Sequence, residues 1–115
     1  MTSIVETLIE AATADTSLLL KNQELGDDAT TARSVDFVMY GSTKKQVELV
    51  ASFITDFCYG VPQIKKSEKR HMLTVTIEMP TTQHVLCSVS GFMACLASIY
   101  DLEYDGWESD VCIGT

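Results

Sequence analysis

Leu73, Val75, Ile77 and Met79 alternate with Thr74, Thr76 and Glu78, and Pro80 follows. A period of two closed by proline predicts a strand with one buried and one wet face. Val35, Phe37 and Met39 alternate in the same way with Asp36, Val38 and Tyr40, and Gly41-Ser42 ends that strand. Between them, Val47, Val50, Ala51, Ile54 and Phe57 recur at helical spacing. Thr43 with Gln46 three residues on supplies the start of that helix, and Gly60 its expected stop. Val61 to Lys66 is a short strand, placed at a sheet edge by Pro62.

At the N-terminus, Ser3 and Glu6 have the spacing of a capping box. Ile4, Val5, Leu8, Ile9 and Ala12 then fall on one helical face, and Leu18, Leu19, Leu20 and Leu25 continue the pattern up to Gly26. Ala14-Asp15-Thr16-Ser17 leaves open whether this is one helix or two. A third helix from about Gln83 to Tyr100 is capped by Thr81 or Thr82, and a last strand contains Glu103-Tyr104-Asp105-Gly106-Trp107.

After the first helix the order is β-α-β-β-α-β. That order predicts an α+β, ferredoxin-like sandwich: an antiparallel sheet, two helices on one face, and the first and third strands at its centre. Residues 1–26 form an extra N-terminal helical segment packed on a domain of residues 27–115. From Gln83 through Tyr100 there is no Asp, Glu, Lys or Arg. An outer helix normally carries a charged side. Either the N-terminal helix covers that side, or helix 83–100 is an interface, with a homodimer as one form.

The chain has 115 residues, 46% of them hydrophobic, which suits one domain with a real core. No apolar stretch is long enough to span a bilayer, and the N-terminus lacks a basic start followed by an apolar run, so a cytoplasmic location is expected. Sixteen acids against eight bases give a net charge of −8. That balance disfavours phosphate backbones and favours basic partners. The basic cluster Lys65, Lys66, Lys69 and Arg70, beside His71, falls on an expected hairpin turn and reads as a solvated loop. The strand from His71 to Met79 lacks outward aromatics for stacking bases, which argues against direct nucleic-acid binding. Cys58, Cys87, Cys95 and Cys112 form no CxxC pair, and His71 and His84 add no zinc spacing. Four reduced, mostly buried thiols and no cofactor are expected.

No serine, cysteine or threonine has a recognisable base partner, and no phosphate loop or nucleophile elbow is present, so the chain reads as non-enzymatic. Attention therefore falls on Glu103-Tyr104-Asp105-Gly106-Trp107, which holds the only tryptophan. Two readings stay open. The strand is an edge whose rings cap the core while its acids stay wet, or it is a recognition surface. In the second reading Glu103 and Asp105 share the open sheet face with Asp36 and Glu78, making an acidic floor with Tyr104 or Trp107 at its rim. Gly106 suits a bulge. A small-molecule or metal-binding module, using the same face or a dimer cleft, is the alternative function.

With that strand order and the run Leu102-Glu103-Tyr104-Asp105-Gly106-Trp107, the chain resembles the regulator of ribonuclease activity B family. Leu25-Gly26-Asp27-Asp28 followed by Arg33, Val35 and Phe37 resembles the family's approach to its first strand, and Phe57-Cys58-Tyr59-Gly60-Val61 its helix-to-strand corner. The resemblance implies a ferredoxin-like domain preceded by a helix. It also implies a protein that binds the endoribonuclease RNase E and inhibits cleavage of some transcripts without catalysis. The partner would then be RNase E or a component of an RNA-decay complex with basic segments, contacted through Glu103, Tyr104, Asp105, Gly106, Trp107, Asp36 and Glu78.

Overall fold

The computed structural model describes residues 3–113. Its elements are α1 (Ile4–Glu24), β1 (Arg33–Gly41), α2 (Lys44–Asp56), β2 (Val61–Ser67), β3 (Arg70–Met79), α3 (Gln83–Ile99) and β4 (Glu103–Glu108). The strands make one open antiparallel sheet in the order β2-β3-β1-β4. The two most apolar strands are therefore central, as their patterns predict, and Pro62 lies in an edge strand, where proline is tolerated. Each described helix is too short or too polar to cross a membrane.

The alternation in β1 and β3 sends Val35, Phe37, Met39, Leu73 and Val75 to one face, all fully buried. They meet Val47, Val50 and Ile54 of α2 and Leu86, Met93 and Ala97 of α3 in a single core. Burial of each large side chain there contributes ~1.5–3 kcal/mol. Thr43 and Gln46 form the expected capping box at the start of α2. Thr82 caps α3 by position only, with no side-chain hydrogen bond. Ser3 accepts from the Glu6 N–H, making half of the expected box at α1.

The structure answers the question that Ala14–Ser17 left open, and it corrects two expectations. α1 is one unbroken helix through Ala14–Ser17, ended by Gly26 at φ +92° with its N–H bonded to the Gln23 carbonyl. α2 is stopped not by Gly60 but by Cys58, which takes φ +58°. Gly60 instead permits close packing: a Cβ there would lie 2.8 Å from Ile77 and 2.9 Å from Val75. The cysteines are also less buried than expected, Cys58 being exposed and the other three intermediate.

α1 packs along α3, which accounts for much of the uncharged surface of that helix. Leu8 lies against Gly91, where a Cβ would sit 3.3 Å from Leu8 Cδ2, and Gln83 donates to Thr16 Oγ1 at 3.2 Å. These two contacts run the helices antiparallel. His84, Ser88, Ser98 and Ile99 of α3 stay exposed.

Candidate functional site

β4 does not alternate simply. Trp107 pairs with Phe37 and Tyr104 with Met39, so Asp105 and Gly106 together face the single residue Val38. This is a β-bulge, and Gly106 adopts φ +89°, a conformation glycine reaches without steric strain. The extra residue turns both Tyr104 and Trp107 toward the helices. Both pair with inward-facing residues of β1.

The rings are therefore not at the rim of the open face, as the recognition reading expected; they cap the core, as the edge-strand reading expected. Trp107 is only 7% exposed and belongs to the core; Tyr104 packs against it, partly buried. Their polar ends are used inside. The Trp107 indole N–H donates to Asp15 Oδ1 at 3.0 Å, and the Tyr104 hydroxyl is 2.7 Å from Ser90 Oγ. Burial pushes the Asp15 carboxyl above its ordinary value, with hydrogen bonds from Ser90 and Trp107 acting against that rise. Burial likewise pushes the Tyr104 hydroxyl far up. Asp15 is the only buried residue among those described in α1, while Ile4, Val5, Leu8 and Ile9 are exposed. The apolar periodicity gave no hint of this, because the contact that holds α1 at its middle is polar.

The acids are dispersed rather than pooled. Glu103 pairs with Tyr40, and its Oε2 accepts from Arg70 at 2.9 Å, while the Arg70 guanidinium lies 4.1 Å above the Tyr40 ring. Asp36 pairs with Glu108 four positions along β1, ~13 Å from the Glu103 register at the usual rise. Thr76 donates to Asp36 at 2.6 Å and Ser34 to Glu78 at 3.0 Å, so these two carboxylates do share the open face. The expected acidic floor thus exists at one end as Asp36, Glu78 and Glu108, with Glu103 at the other end and already paired. Glu108 and Arg70 were not singled out as site residues, and strand register is what brings them in. Among the described residues, no three His, Cys, Asp or Glu side chains gather as a metal site.

Asp105 is on neither part of that floor. Because of the bulge it borders a cleft of about 360 Å³ between α1 and β4, together with Glu10, Ala11, Asp15 and Tyr104. At the far end of the sheet, Arg33 fastens both termini of the domain. It donates to Asp27, to the Asp28 carbonyl at 2.6 Å and to the Asp110 carbonyl at 3.1 Å. Asp27 in turn accepts from the Cys112 N–H at 2.8 Å. The residues of Leu25–Phe37 that resemble the family thus build a clamp for the chain leaving β4.

A comparison with curated proteins returns no match. A family model described as regulator of ribonuclease activity B matches residues 12–109, which takes in the body of α1, the bulged strand and everything between them. That span covers most of the 115 residues, and the chain belongs to the regulator of ribonuclease activity B family.

Proposed function

We propose that this chain modulates the endoribonuclease RNase E in the cytoplasm by binding it without catalysis, through basic segments of that enzyme or of its RNA-decay complex. Membership in a family of ribonuclease regulators supplies the main support. The net charge of −8 and the exposed acids on two surfaces add the physical side, since such a protein attracts lysine- and arginine-rich segments and repels RNA. In this reading Asp36, Glu78, Glu103 and Asp105 meet the partner. Tyr104, Gly106 and Trp107 serve recognition indirectly, by fixing the bulge that presents Asp105. Arg70 screens Glu103 in the free protein, and an exposed pair of this kind is worth only ~0–1 kcal/mol, so a partner's cation displaces it readily. The strand order, with two helices on one face, supports reading the body as ferredoxin-like with α1 added to it.

The test is cleavage of a structured RNA by purified RNase E, titrated with this protein and with a variant carrying Asp36→Asn, Glu78→Gln and Asp105→Asn together. The proposal expects saturable slowing by the wild type, at least tenfold weaker for the variant, and no cleavage by the protein alone. Unchanged cleavage at saturating wild-type protein, with no complex detected, overturns it.

A further inference from the structure

The described helices all pack on one side of the sheet, and among the described residues no element covers the other side. Strand register sorts that open face into an acidic end and a basic end. At one end Glu78 lies opposite Ser34, and Asp36 lies between Thr76 and Glu108. At the other end Lys65 pairs with Met72, and Arg70 stands one step further along the same face, with Lys69 in the adjoining turn. Glu78 and Arg70 lie near opposite ends of β3, ~27 Å apart at the usual rise. Arg70 pairs with Glu103, and the two lysines leave this end positive. The stretch between the ends is uncharged. Gln63, Thr74 and Val38 make its middle row, flanked by Val61, Met72 and Tyr40. Val61 is 64% exposed, and Val38, Met72 and Tyr40 are half-buried.

We propose that this open face is a dimer interface, on which a second copy of the chain stacks sheet on sheet. A two-fold axis between the sheets, running across the strands, lays the acidic end of each copy over the basic end of the other. An axis along the strands would set acid on acid. Isologous contact also makes each residue on the axis meet its own copy, and like charges there repel. The middle row of Gln63, Thr74 and Val38 meets that demand, because it carries no charge. Four strands ~4.8 Å apart and ~30 Å long offer ~500 Å² per copy, or ~1,000 Å² in the pair. That is the lower end of specific interfaces, so the dimer is weak and exchanges with monomer. Each copy carries −8 and repels the other at a distance. Physiological salt screens that repulsion beyond ~8 Å, whereas the opposite ends meet within it.

The dimer does not rest on the ribonuclease reading, and it goes beyond it: Asp36 and Glu78 are hidden in the pair, so a basic segment has to displace the second copy. Sedimentation of the full chain from about 1 μM to about 1 mM is expected to show monomer giving way to dimer. Two charge-reversed variants test the arrangement, one carrying Lys65→Glu and Arg70→Glu, the other Glu78→Lys and Glu108→Lys. Each alone sets like charges together at both ends of the pair and is expected to associate at least tenfold more weakly. Mixed in equal amounts, they place opposite charges at both ends again, and a heterodimer is expected at about wild-type strength. Val38→Lys, on the axis, sets a lysine against its own copy and is expected to dissociate the pair without reversing either end. Amide shifts of the wild type on dilution, expected only at open-face residues, read the same contact without any substitution. A monomer across the whole range overturns the inference. So does a dimer that persists in all three variants, which moves the contact to another surface, such as the exposed apolar residues of α1. Weakening in both charge variants, verified as folded by thermal unfolding, with no recovery on mixing overturns it as well.

Discussion

Trp107 and Asp15 lie 92 positions apart and meet through one buried hydrogen bond, the indole N–H on Oδ1 at 3.0 Å. That bond fastens the middle of α1 to the bulged strand across α3. A helix whose apolar residues are largely exposed is thereby held to the domain by a polar anchor. Replacing Trp107 by Phe keeps most of the packing but strands Asp15, and is expected to destabilise by about 2–4 kcal/mol. Urea unfolding measures this. A change within the range of surface substitutions, ~0.5 kcal/mol, contradicts the anchor.

Gly106→Ala isolates the bulge. No atom within 4 Å opposes the added methyl, so any loss comes from the φ of +89°. A loss of ~1–2 kcal/mol is expected, and less for Gly106→Asn, because asparagine tolerates positive φ better. Equal losses for the two variants, measured by thermal unfolding, point to something other than backbone conformation.

Asp15 makes stability depend on pH. Its carboxyl titrates above the ordinary 3.8 because burial disfavours the charged form. A raised folded-state value means that its contribution to stability is full below 3.8 and is lost as pH rises through that raised value. Asp15→Asn, neutral throughout, removes this dependence. Wild type therefore loses ground relative to the variant as pH increases from the acid range toward neutrality. Parallel urea midpoints for the two proteins across the series contradict the assignment.

Element types and sheet order were legible because β1, β3 and α2 largely obey their periods: Val35, Phe37, Met39, Val47, Val50, Ile54, Leu73 and Val75 are all fully buried, while Ile77 is half-buried and Phe57, just past the end of α2, is exposed. The site was legible only in part. Glu103-Tyr104-Asp105-Gly106-Trp107 stands out by composition, and Gly106 suggested a bulge, yet period-two reasoning still put Glu103 and Asp105 on one face. One extra residue was enough to separate them and to turn both rings inward. Asp15 was invisible for another reason: an acid between leucines and alanines reads as an interruption, and its partner is on the last strand.

Arg33 offers a check on the clamp that joins the two ends of the domain. Its pair with Asp27 is almost fully buried, so Arg33→Met leaves an uncompensated carboxylate and is expected to destabilise by about 3–5 kcal/mol. Hydrogen exchange should show early loss at the Asp28 and Cys112 amides, whose bonds join the clamp. Retained protection there contradicts the role assigned to Arg33.

The attraction of an acidic domain for a basic ribonuclease segment is tested most directly by equilibrium binding to purified RNase E as salt is raised from about 0.1 M to about 1 M, which shortens electrostatic screening from ~10 Å to ~3 Å. The account predicts a complex at the lower salt that weakens at least tenfold at the higher. Affinity that does not change with salt, or no complex at the lower concentration, contradicts it.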